Sequence, residues 1–125
     1  MSASTRLLGS LGALGGALGI AAGAVGAHVL HLQAGTREAH LFDTAVSYLL
    51  VHAVLVVSLA VVTRTPGWRA VMGLMLLGMI CFSGGLLVQV AAERPVPVIP
   101  FGGMCLIAGW LVAAALCARR PSTLN

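Results

Sequence analysis

The stretch Leu7–Leu30, LLGSLGALGGALGIAAGAVGAHVL, decides the fold. It runs for 24 residues without an Asp, Glu, Lys or Arg, and about 20 apolar residues are enough for a helix to cross a bilayer core. Within it, Gly9, Gly12, Gly16, Gly19, Gly23 and Gly26 are spaced 3, 4, 3, 4 and 3 residues apart. That spacing puts glycine at the two seam positions of a seven-residue repeat and draws one smooth stripe along a helix. A glycine inside a helix costs roughly 1 kcal/mol in water. In lipid a smooth stripe lets a second helix backbone approach, where dispersion and weak Cα–H···O contacts accumulate. The stripe therefore predicts a close helix–helix contact, and its 3.5-residue period predicts a left-handed crossing. Whether the partner helix belongs to the same chain or to another subunit is left open by the spacing.

The rest of the chain has the same character. Its 125 residues are 59% hydrophobic and 8% charged, with a mean hydropathy of +1.04. A soluble domain carries about 25% charged residues, and one of this size has too little interior to hide so much apolar surface. Three further apolar stretches follow, Phe42–Val62, Trp68–Val90 and Phe101–Cys117. The breaks between them hold the charges and the helix breakers: QAGTREAH (33–40), TRTPGW (63–68) and AERPVPVIP (92–100). The expected architecture is all-α, an integral membrane four-helix bundle forming one domain. Pro66-Gly67 marks a tight helical hairpin, and Pro95, Pro97 and Pro100 predict an extended approach to the last helix.

All seven basic residues are arginines. With the N-terminus cytoplasmic, Arg6, Arg64, Arg69, Arg119 and Arg120 share its side. Arg37 and Arg94 lie opposite, together with Glu38, Asp43 and Glu93. This bias predicts both termini inside, in an inner (cytoplasmic) membrane of the bacterial type. The scattered arginines form no basic face of the kind that binds a phosphate backbone, so nucleic acid is not an expected partner. A secretory leader cleaved after AAGAVGA (21–27) is the competing reading of the first helix. Its apolar run exceeds a usual leader core, and the chain starts at Met1, so the run is read as a retained helix.

The polar residues at membrane depth are few. His40, Thr44, Tyr48 and His52 recur every fourth residue and share one helix face. Thr36 is the expected N-cap of that helix, with Glu38 in its first turn. Counting at 1.5 Å per residue, His52 lies about 14 Å below Asp43, and Ser83 reaches a similar depth on the third helix. Tyr48, His52 and Ser83 thus form a candidate buried polar cluster in which Ser83 or Tyr48 bonds the imidazole, since an unpaired polar group there costs several kcal/mol. His28 lies opposite the glycine stripe, among Leu7, Leu14 and Ala21. It faces headgroups or another protein if the glycines pack inward, and turns into the bundle if they contact another subunit.

Intramembrane ionisable residues mark functional sites by default. An outer-side metal or haem site drawing on His28, His31, His40 and His52 has the right ligand type, but no dense ligand spacing supports it. The sequence leaves any cofactor unassigned. Catalytic constellations are equally sparse: Ser83 in CFSGGL lacks the first glycine of a nucleophile elbow, and its glycines read as close packing. Cys81, Cys105 and Cys117 lie singly in apolar runs and read as small buried hydrophobes.

The stretches GAVGAH (23–28), FDTAVSYLLVHA (42–53), FSGG (82–85), IPFGG (99–103) and AGW (108–110) together resemble the domain-of-unknown-function 423 family. These are YgdD-like small inner-membrane proteins related to transmembrane protein 256 of mitochondria. Val29 stands where that family often has glycine, Leu49 where a polar residue is common, and Gly85 where serine is common. The resemblance implies a four-helix membrane protein and brings no settled activity. From the residues, the expected function is non-catalytic packing, as an accessory subunit of a membrane complex or as a homo-oligomer. A metal- or haem-binding module and small-solute or lipid handling are the alternatives.

Overall fold

The computed structural model describes residues 2–63 and 65–119. Arg64 and Arg120, counted in the charge balance, lie outside the described residues. Four helices account for most of the described residues: α1 (Ala3–Leu30), α2 (Arg37–Val62), α3 (Pro66–Ala92) and α4 (Ile99–Ala118). All four are long and apolar enough to cross a membrane.

The helices start earlier than hydropathy alone indicates, because capping residues lie outside the apolar runs. Ser2 caps α1, its hydroxyl accepting from Thr5 N at 3.2 Å. Thr36 caps α2 in the same way through Ala39 N. Pro66 occupies the first turn of α3 and Pro100 that of α4. A proline is tolerated there because its missing N–H has no helical partner to lose. The approach to the last helix therefore ends at Val98, and Pro100 is helical rather than extended.

The glycine stripe of α1 packs on α2 of the same chain, antiparallel. Going down the stripe, Gly9 faces Ala60, Gly12 faces Val56, Gly16 faces Ala53, Gly19 faces Leu50, Gly23 faces Val46 and Gly26 faces Phe42. A Cβ on Gly12 would lie 2.7 Å from Val56 Cγ1, while one on Gly16 would sit 3.6 Å from Ala53 Cβ. The opposite face of α1, with Leu7, Leu11, Leu14 and Leu18, is exposed, and so is His28.

A second antiparallel contact joins α3 to α4, and it is tighter. A Cβ on Gly102 would run into the backbone of Cys81 and Phe82, Gly78 lies under Leu106, and Gly109 meets Met75. Between these pairs, α2 packs on α3 around Val56, Val71, Met72 and Met75, none of which exposes any surface. Arg69 donates to the Ser4 hydroxyl at 3.2 Å, which ties the start of α3 to the start of α1. Gly67 against Leu116 brings the end of α4 to the same end of the bundle.

Two helices contain a π-helical turn, Gly26–Leu30 in α1 and Met79–Gly84 in α3. Such a turn inserts one residue and re-aims the faces that follow. In α3 it lies where Gly102 of α4 touches Phe82. Cys81, Cys105 and Cys117 are free thiols.

Candidate functional site

At mid-depth, α2 and α4 flank α3 and leave a groove of about 540 Å³ between them. Its walls are Ser47, Tyr48, Val51 and His52 from α2, Phe82 from α3, and Gly103, Leu106, Ile107 and Trp110 from α4. The π-helical turn presents Phe82 to this groove, where its ring centroid is 5.0 Å from that of Tyr48. Gly103 leaves the mouth open: a Cβ there would meet nothing closer than the Phe82 ring at 3.7 Å.

His52 is buried and fully bonded. The Trp110 indole nitrogen lies 3.3 Å from His52 Nε2, and His52 Nδ1 lies 2.7 Å from the Tyr48 carbonyl oxygen. An indole N–H only donates and a carbonyl only accepts. Nε2 must then accept from Trp110, and the ring proton sits on Nδ1 and is donated to Tyr48. The two bonds select one neutral tautomer and leave the imidazole no free nitrogen. Tyr48 also stacks on His52 at 5.7 Å between centroids.

The expected partners of His52 are corrected by this arrangement. Neither the Ser83 nor the Tyr48 hydroxyl bonds it; the Tyr48 backbone and Trp110 do. Ser83 is fully buried, and among the described residues its hydroxyl has no hydrogen-bond partner. Neighbouring Phe82, not Ser83, takes the groove side of α3. Of the other polar residues on α2, Thr44 bonds back to the His40 carbonyl at 2.8 Å, which satisfies it within its own helix. His28, His31 and His40 are exposed near the end of the bundle away from the termini and do not converge with His52. Among the described residues, no three His, Cys, Asp or Glu side chains come together as a ligand set.

Trp110, Phe82 and Gly103 line this site without belonging to the expected Tyr48–His52–Ser83 cluster. Their signal was the grouping of FSGG, IPFGG and AGW with the His52 segment. Those four stretches, far apart in the chain, meet around the groove.

Four apolar spans, two glycine contacts and a lateral groove define a small multi-span membrane protein. The chain belongs to the family described as protein of unknown function (DUF423), whose model matches residues 22–103. It is 30% identical to a UPF0382 membrane protein of Staphylococcus haemolyticus, over 82% of this chain and 87% of the relative. It is likewise 30% identical to the UPF0382 inner membrane protein YgdD of Escherichia coli, over 86% of each. No solved structure matches the chain.

Proposed function

We propose that this protein holds a lipid-soluble molecule in the groove between α2 and α4, acting as a non-catalytic binding protein of an inner membrane. The observation that carries the reading is the wall made by His52 and Trp110. Its polar groups are spent on each other and on the Tyr48 backbone, while the surrounding walls are aromatic and aliphatic apart from the Ser47 and Tyr48 hydroxyls. Such a surface offers an occupant shape and apolar contact rather than a ligating nitrogen or a proton relay. Those closed bonds also weigh against His52 as a metal or haem ligand.

The accessory-subunit reading loses the surface that motivated it. The glycine stripe is covered by α2, so a partner subunit would have to dock on the leucine face of α1. That face has the composition lipid itself covers. The excess of arginines on the side of the termini supports a cytoplasmic N- and C-terminus.

A membrane lipid with a photoactivatable group halfway along its acyl chain tests the proposal. Crosslinks should concentrate on Tyr48–His52 and Leu106–Trp110. An even spread over the exposed faces of all helices, the α1 leucines included, would overturn it.

A further inference from the structure

At the end of the bundle away from the termini, a second pocket of about 540 Å³ is lined by Arg37, Glu38, Leu41, Gln89, Glu93 and Arg94, among others. It gathers every charge on that side of the molecule except Asp43. Two guanidinium and two carboxylate groups share one wall, and among the described residues no such pair closes to within 4.0 Å. The pocket is therefore balanced in charge without its charges being paired to one another.

Its geometry is held by the chain. The Gln89 side-chain oxygen accepts from Val96 N at 3.3 Å, which anchors the segment that follows α3. Glu93 closes α3 in the left-handed conformation, φ 51°. Helices that end this way usually place glycine there, where no Cβ is strained. Here a carboxylate occupies the position instead.

The charged pocket stands above the groove on the same face. At 100° per residue, Arg37, Leu41, Tyr48 and His52 fall within about 60° of one another on α2. The rise from Arg37–Glu38 to Tyr48–His52 is about 15–22 Å, close to the half-thickness of about 15 Å that separates headgroups from the bilayer centre. Headgroup chemistry at the rim and an apolar slot at mid-chain depth are the two halves of one phospholipid.

We propose that this face binds a zwitterionic phospholipid of the phosphoethanolamine class. Its phosphate pairs with Arg37 and Arg94, its ammonium with Glu38 and Glu93, and an acyl chain lies in the groove. Arginine matches phosphate oxygens with charge-assisted bonds. The carboxylates are best matched by a cation that also donates, which a primary ammonium headgroup supplies; a glycerol headgroup offers only neutral O–H donors and a trimethylammonium headgroup a charge without a donor. This identity rests on the groove reading above, and the test separates the two.

The chain has two tryptophans, so Trp68→Phe leaves Trp110, on the groove wall, as the only tryptophan, and excitation at the red edge of the indole band reads it without Tyr48. Lipids brominated along the acyl chain quench it on contact. They are presented at one-tenth mole fraction, as brominated phosphatidylethanolamine in phosphatidylglycerol and in the reverse combination. A tenfold preference, about the worth of one bond to a charged group, raises occupancy at that fraction from about one tenth to about one half. Quenching by the brominated phosphatidylethanolamine should therefore exceed the bulk mole-fraction value about fivefold. Glu93→Gly, which relieves the backbone while removing the carboxylate, and Arg37→Gln should each lose most of the excess. Quenching by both lipids at the bulk mole-fraction value would overturn the headgroup assignment and leave the groove standing, because a groove blind to headgroup samples each lipid at its mole fraction. The groove reading falls separately, on an even spread of the acyl-chain crosslinks over the exposed faces of all helices. A preference unchanged in Glu93→Gly would also overturn the headgroup assignment.

Discussion

The α1–α2 seam and the α2–α4 groove are both bordered by glycine, yet one is full and the other open. Along the seam, each glycine receives a side chain from α2, so the missing Cβ atoms are replaced by Ala60, Val56, Ala53, Leu50, Val46 and Phe42. On α4 the two uses stand side by side. Gly102 is pressed against the backbone of Cys81 and Phe82, while Gly103 looks into space that the protein leaves unfilled. Glycine in a membrane helix thus serves close packing at one position and vacancy at the next. Only the surrounding helices determine which.

A graded series of substitutions sharpens this contrast. Gly102→Val carries the largest expected effect, because backbone cannot yield as a flexible side chain can: about 3 kcal/mol or more of lost stability. Gly12→Val should cost about 1–3 kcal/mol, since Val56 is fully buried and branched at Cβ. Gly16→Ala has room beside Ala53 and should be neutral, or stabilising by up to about 1 kcal/mol through helix propensity. Resistance of the micelle-solubilised protein to unfolding by dodecyl sulfate orders the three. A Gly16→Ala loss as large as that of Gly12→Val would break the account of the seam.

Trp110→Phe probes the wall of the groove. It keeps most of the ring and removes the donor to His52 Nε2, which should lower stability by about 1 kcal/mol, as interhelical hydrogen bonds in membranes do. The accompanying signature is a changed 15N shift at Nε2 while Nδ1 stays protonated. An unchanged Nε2 shift would mean that the bond across the groove is not formed.

The seam was legible because it is written within one helix: six glycines at 3- and 4-residue steps define a face without reference to anything else. Its partner was not, because α2 carries no matching pattern. Val46, Leu50 and Val56 look like any other lipid-compatible residues. The capped starts of α1 and α2 extend beyond the apolar runs because Ser2 and Thr36 act through one hydroxyl each. His52 could be singled out from its depth, but its partner lies 58 residues away on α4. Joining them requires the α3–α4 contact at Gly102 and the π-helical turn at Met79–Gly84. No residue pattern in FSGG announces a wider turn, so Ser83 was expected where Phe82 stands.

The central claim is that the groove is a binding site and not merely a dent in a lipid-facing surface. Gly103→Leu tests it most directly, because the added side chain enters the groove while Gly102, one residue away, keeps the helix contact. Native mass spectrometry of wild type and variant, extracted side by side in mild detergent, reads the outcome. The account predicts a lipid-sized adduct on the wild type that is lost from an equally stable Gly103→Leu protein. The same adduct at the same occupancy on both would contradict it.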